Sequence, residues 1–351
     1  MTRSNRFSLV LTVLGLALCL GCGSSATHIA YITVPSLNSI AAFRVSDSSA
    51  HFTSIVGSPF LAGTSPSAIM AHPSGKFAYV ADQTSNDIAL FKIDSTVGSL
   101  QEVLPRTPTG LTPVALSMDS GGTFLLALNQ VGNTISAYSI DAGTGALKPL
   151  GVPVATFASP TAFSLTPSAK FLYVLNPNLG SVTIYTVASG VLTQASAPIT
   201  VGSVPSAITV DPSEKFVYIA DAGASTVSVF SLNSSTGALT FLNTIATGTQ
   251  PFSLLVSGMF LYVGNTGSTN ISVFSVDSTT GVLTQTTNSP FSSGGAPSFL
   301  VLDPKGKFLY VGSQSGKTVS ALTIDSSTGA LTLTAQSATT NFAPGGMALT
   351  K

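Results

Sequence analysis

The chain has 351 residues, of which 7% are charged and 44% hydrophobic, with no tryptophan and a formal net charge of zero. Thirteen Lys and Arg balance thirteen Asp and Glu, so no electrostatic field exists to attract nucleic acid or other polyanions. Both cysteines, Cys19 and Cys22, fall in the first residues, which removes disulfides, thiolate chemistry and cysteine-ligated metals from everything after Gly23.

The N-terminus reads as an export signal. Arg3 and Arg6 precede an apolar run, Phe7 to Leu20, that is too short to span a bilayer, which takes about 20 apolar residues. The run ends in Leu18-Cys19-Leu20-Gly21-Cys22, which resembles a bacterial lipobox with Cys22 as the residue to be lipidated; Cys19 stands where that pattern prefers Leu. The alternative is an ordinary cleaved signal with the cut a few residues later. The expected organisation is a signal peptide over 1–21, a lipidated linker over 22–27 and one domain over 28–351. The protein is then an exported monomer of the cell envelope, touching the membrane only through its lipid anchor.

From His28 onward the chain repeats. A proline opens each unit at Pro66, Pro113, Pro160, Pro205, Pro251, Pro297 and Pro344, at intervals of 45 to 47 residues. An aromatic strand follows each of the first six openings, as in Phe77-Ala78-Tyr79-Val80 and Phe216-Val217-Tyr218-Ile219, and Ile29-Ala30-Tyr31-Ile32 is a seventh copy. The unit opening at Pro205 shows four strand-like runs, over 207–210, 216–220, 226–231 and 239–242, separated by turn residues. Both faces of its second run are apolar, as a sheet sandwiched between two neighbours requires. Periods of this length predict an all-β, seven-bladed propeller of four-stranded antiparallel blades. The first copy lacks a proline-led strand and the last has nothing after one. The C-terminal strand is therefore expected to complete the first blade and close the ring.

The unit Pro205-Ser206-Ala207-Ile208 … Asp211-Pro212-Ser213 … Lys215-Phe216-Val217-Tyr218-Ile219-Ala220-Asp221 resembles the lactonase-type seven-bladed propellers, the family that includes bacterial 6-phosphogluconolactonase. The resemblance covers nearly the whole chain after the signal and implies lactone hydrolysis. The matching residues belong to the scaffold, and a fold does not carry its function along.

Subtracting the repeat leaves few residues for a site. Lys76, Lys170, Lys215 and Lys307 share one turn, and Asp94, Asp141, Asn233, Asp277 and Asp325 share another as side-chain caps of the backbone. On the opposite face of the disc, the aromatic strands end in Asp82, Asn129, Asn176, Asp221 and Asn265, an expected ring of ligand-binding groups around the channel mouth. The competing reading makes each of them a cap of its own loop. Arg106, on a blade-to-blade connection, is the candidate for gripping an anion. His28, His51 and His72 fall away from the mouth, no Gly-x-Ser-x-Gly elbow occurs, and no cluster has metal-ligand spacing. These residues predict no catalytic set, no metal and no cofactor. The expectation is a binding module for a small molecule, a saccharide or an envelope protein, with a lactone hydrolase as the alternative.

Overall fold

The second run of each repeat is the element most strongly dictated by its residues. In Phe77–Asp82 all six side chains are buried, and alternation sends them to two different neighbours. Phe77 and Tyr79 pack with Leu125, Ala127 and Tyr138, while Ala78 and Val80 pack with Tyr31, Ile40 and Ala42. A strand that is apolar on both sides has no solvent face, so each blade needs a partner on either side.

The computed structural model describes residues 27–350 and shows seven antiparallel sheets arranged as a propeller. Blade 2, built from Pro66–Ala71, Phe77–Asp82, Asp87–Ile93 and Leu100–Pro108 in order from the axis outward, is representative. Each of the seven apolar clusters lies between two consecutive blades, including one between blades 7 and 1. In blade 5 the outermost strand is Leu239–Ala246, longer than the sequence implies. An irregularity between Val229 and Phe230 keeps it in register as far as Thr226↔Ala246.

Ring closure follows the expected scheme. Met347–Leu349 is the innermost strand of blade 1 and pairs with Thr27–Val34 through Ala30↔Leu349, Tyr31↔Ala348 and Ile32↔Met347. Thr350 extends the link, its Oγ1 accepting from Ile29 N–H at 3.0 Å and its own N–H reaching Ile29 O at 2.9 Å.

The aspartate-led turns lock neighbouring blades together. Asp94, Asp141, Asp277 and Asp325 each accept backbone N–H bonds two and three residues on, as Asp141 does from Gly143 and Thr144. Hydrogen bonds from these turns hold all four carboxyls below the usual range. Gly145, at φ 76°, closes one such turn over the Phe77 ring, where an added Cβ would collide. Its carbonyl accepts the Tyr79 hydroxyl at 2.8 Å, and Tyr31–Gly98 and Tyr173–Gly237 repeat this bond.

Candidate functional site

A cavity of about 790 Å³ opens at the axis, walled by the innermost strands and by the residues that follow the second strands. The wall is built from two repeat positions. The first is the residue after each opening proline: Ser67, Ser206 and Ser298 in three blades, Gly345, Val114 and Thr161 in blades 1, 3 and 4, and Phe252 in blade 6. Its serines belong partly to the scaffold. Ser67 Oγ lies 3.1 Å from Ala81 O and 2.9 Å from Pro113 O, and Ser206 Oγ lies 3.2 Å from Ala220 O and 2.6 Å from Pro251 O, tying each blade to the next.

The second position follows the aromatic strand. It presents Gln83, Gln130 and Gln314 to the cavity, with Ala222, Pro35 and Pro177 in other blades. The three amides make no hydrogen bond to another described side chain. No Asp, Glu, Lys, Arg or His contributes to the wall. Among the described residues no three His, Cys, Asp or Glu come together to hold a metal ion.

The ring expected at the mouth lies one residue away from it. Asp82, Asn129, Asn176, Asp221 and Asn265 are all fully buried. Alternation turns them into the joint with the preceding blade and leaves the next residue to face the axis. The asparagine amides bond locally, with only Asn176 Oδ1 left without a partner. Asn129 Nδ2 donates to Ser136 Oγ at 2.9 Å and to Thr134 Oγ1 at 3.1 Å, while its Oδ1 accepts from Thr109 Oγ1 at 3.0 Å. Asn265 bonds Ser272, Asn270 and Thr247 in the same way. The chain entering the blade crosses directly above these side chains. At Gly202 a Cβ would overlap the Asp221 carboxyl, and Gly63, Gly110 and Gly248 are equally confined by Asp82, Asn129 and Asn265.

The two aspartates differ from the asparagines in charge and from each other in company. Asp221 Oδ2 accepts from Ser228 Oγ at 2.6 Å; burial raises its carboxyl, opposed by Ser228, Thr226 and the Gly202 N–H. Asp82 faces Asp87 on the paired strand, where other blades carry Thr134, Ser181 or Thr226. The Asp87 carboxyl and the Gly63 N–H are the polar groups beside it, yet neither Asp82 oxygen has a partner in full hydrogen-bond geometry. Burial, with Asp87 adding and Arg106 opposing, pushes the Asp82 carboxyl up to about 8.

Arg106 is on the outermost strand of blade 2, far from the axis in strand order, with Nε 2.6 Å from Glu102 Oε1. Arg106 is near enough to Asp87 and Asp82 for their charges to act on one another, but it does not line the axial cavity. His28, His51 and His72 contribute nothing to the cavity wall. Gln83, Gln130, Gln314 and Phe252 escaped the sequence reading because it weighed charged residues and strand ends. The available signal was departure from the repeat at the position after each landmark.

A family model described as lactonase, seven-bladed β-propeller, matches residues 24–163, 154–256 and 253–343. Among solved structures, a Bacteroides uniformis protein proposed to be a 6-phosphogluconolactonase superposes with a TM-score of 0.81 at 20% identity, over 92% of this chain and 99% of that one. The Pseudomonas aeruginosa periplasmic gluconolactonase PpgL superposes with a TM-score of 0.80 at 18% identity, over 93% and 99%. At such identities the superpositions speak for the fold alone. No curated protein matches the chain by sequence. The family model, by contrast, spans most of the sequence, and the chain belongs to the lactonase family of seven-bladed β-propellers.

Proposed function

We propose that the protein is an exported lactone hydrolase that takes a neutral lactone at the mouth of its channel. The observation that carries this reading is the wall itself: amides and hydroxyls around about 790 Å³, with no charged side chain, in a chain of the lactonase family. A dianionic sugar phosphate needs an Arg or Lys cluster to replace its hydration, and this wall has none. A neutral ring loses far less on entering.

The chemistry fits the groups present. Water adds to the lactone carbonyl, negative charge develops on the carbonyl oxygen, and the ring C–O bond breaks to give a hydroxy acid. The N–H groups of Gln83, Gln130 and Gln314 are donors suited to that developing charge, as amide side chains are in other acyl-transfer sites. The wall supplies no side-chain base, so polarisation and orientation carry the rate and bulk water accepts the proton.

That same lack of a base favours a second reading, a binding module that holds a neutral cyclic ligand without turning it over. One assay separates the two. The purified protein is offered D-glucono-1,5-lactone and its 6-phosphate, with spontaneous hydrolysis subtracted. Turnover of the neutral lactone above that of the phosphate, lowered in Gln83→Leu, is expected. Preference for the phosphate refutes the neutral-substrate reading, and the absence of any turnover refutes the hydrolase.

The N-terminal segment, with Arg3, Arg6 and Cys22, lies outside the described residues and supports export on sequence alone. Wild-type protein partitioning into detergent, with Cys22→Ala released or unprocessed, is the result expected of a lipid anchor. Wholly soluble wild-type protein refutes it.

A further inference from the structure

Blade 6 breaks the repeat at the axis in two adjacent positions. Phe252 stands where Ser67, Ser206 and Ser298 stand in other blades, and its ring is 49% exposed inside the cavity. The exchange does not serve the scaffold. A serine here bonds the opening proline carbonyl of the next blade, as Ser67 and Ser206 do, whereas Phe252 forgoes that bond and leaves apolar area in water. Beside it, Ser253 occupies the position of Ala68 and Ala207. Its side chain is 9% exposed, its Oγ has no hydrogen-bond partner, and it lines the same cavity. Gly264, paired with Ser253, makes the room: an added Cβ would overlap the Ser253 hydroxyl.

We infer that Phe252 is the ligand platform of the channel, selecting a neutral cyclic polyol such as an aldonolactone by stacking on the C–H face of its ring. This rests on the reading of the channel as a neutral-lactone site and names what that site selects. The ring order supports it. Blades 2 and 3 lie across the axis from blade 6 in a seven-membered ring, so Gln83 and Gln130 face Phe252 over the cavity, while Gln314 comes from the adjacent blade 7. A ring stacked on Phe252 lies between that side chain and those amides, with its hydroxyls and carbonyl at its rim facing the polar groups of the wall. The Ser253 hydroxyl, shielded beside Gly264, is a buried polar group at this wall that has no existing bond to give up. Opening the lactone produces a carboxylate, for which the wall holds no counter-charge, so the product is bound more weakly than the substrate.

The test is calorimetric titration of the full protein with D-glucono-1,5-lactam, a ring that does not hydrolyse, and with gluconate, alongside kcat/KM for D-glucono-1,5-lactone. Wild type binds the lactam and holds gluconate much less tightly. Phe252→Ser, which restores the repeat residue, weakens the lactam by about threefold to tenfold and lowers kcat/KM with it. Its melting temperature stays at or above that of wild type. Phe252→Tyr keeps the ring and keeps the affinity, and Phe241→Ser, an exposed ring on the outermost strand of blade 5, changes neither reading. Lactam affinity and kcat/KM both unchanged in Phe252→Ser overturn the platform while leaving the hydrolase intact. A wild type that neither binds the lactam nor turns over the lactone overturns the channel reading together with it.

Discussion

The joint between blades 1 and 2 and the joint between blades 7 and 1 share one packing scheme and close it with different polar chemistry. In both, the second strand of one blade lays its aromatic face on the next: Tyr31 among Ala78, Val80 and Phe91 in the first, Phe308 and Tyr310 among Ala30, Ile32 and Val45 in the second. Tyr31 ends on the Gly98 carbonyl at 2.8 Å. Tyr310 has no such glycine, because the corresponding turn of blade 1 runs Asp47-Ser48-Ser49-Ala50. Its hydroxyl meets His28 Nε2 at 3.3 Å instead. His28 Nδ1 lies 2.8 Å from Asp47 Oδ1, Lys305 Nζ lies 2.8 Å from Asp47 Oδ2, and Lys307 Nζ reaches Ser48 O at 3.0 Å. Charged side chains reach turn carbonyls at ordinary joints as well, Arg44 to Thr96 O at 3.0 Å between blades 1 and 2 and Lys215 Nζ to Ser278 O at 3.1 Å between blades 5 and 6. What the joint between blades 7 and 1 adds is the Lys305–Asp47–His28 cluster beneath the Tyr310 hydroxyl.

The two joints consequently titrate in opposite directions. Asp82, under the crossing of blade 1 into blade 2, keeps its proton to about 8 because it is buried, Asp87 adding to the effect. Between the ordinary carboxylate range and that value the unfolded chain is ionised and the native one is not, so this joint loses stability as pH rises. At Asp47 burial pulls upward, but the hydrogen bonds to Lys305 and His28 outweigh it and hold the carboxyl below its ordinary value. The seam therefore keeps this stabilisation at neutral pH and loses it as pH falls through that lowered value.

The largest expected effect breaks the seam outright. Truncation after Phe342 removes the strand Met347–Leu349 and exposes the edge of Thr27–Val34. The melting temperature should then fall by about 10 °C or more, because an open ring loses a whole joint. A truncated protein melting like the intact one refutes closure by this strand. Next is Asp82→Asn, which gives blade 2 the amide already present as Asn129, Asn176 and Asn265. Its advantage over wild type should be near zero at pH 4, grow by about 1.4 kcal/mol per pH unit at most, and level off near pH 8. A constant offset between pH 4 and 9, measured by denaturation, argues against a proton held at Asp82.

His28→Ala sharpens the seam side. It leaves the Tyr310 hydroxyl unpartnered, as the Tyr218 and Tyr262 hydroxyls already are at two other joints. A loss of about 1–2 kcal/mol is expected in denaturant titration. Asp47→Asn should flatten the acid side of the stability profile, and an unaltered slope below pH 5 speaks against the Lys305–Asp47–His28 cluster. The smallest effect belongs to Arg106→Ala. Its partially exposed pair with Glu102 is worth about 0–1 kcal/mol, and lactone turnover should be unchanged within twofold. A collapse of kcat/KM in this variant returns Arg106 to the site.

Much of the molecule was legible along the chain, for identifiable reasons. The prolines at Pro66 through Pro344 and the Phe-x-Tyr strands recur because every blade meets the same two neighbours, so sequence period and spatial period coincide. Ring closure could be read from the offset between the first aromatic strand and the last proline. Asp94, Asp141, Asp277 and Asp325 announced their turns because their hydrogen bonds reach only two or three residues ahead. All of these are local relations, or relations repeated seven times.

What lies on the axis was decided by tertiary structure alone. Asp82 and Gln83 are neighbours in sequence, yet one is sealed in a joint and the other opens on the cavity; only the twist and tilt of the blade determine which parity faces the axis. Arg106 sits on an inter-blade connection in sequence and on the outermost strand in space, since Leu100–Pro108 runs further than its hydrophobic pattern suggests. The pairing of Asp82 with Asp87, the seating of His28 against Tyr310 across 282 residues, and the opposition of Phe252 to Gln83 and Gln130 exist only once the ring is closed. The repeat specified each blade from local pattern, while the cavity and the seam arise where different copies meet, and copy-to-copy contact is a property of the assembled ring.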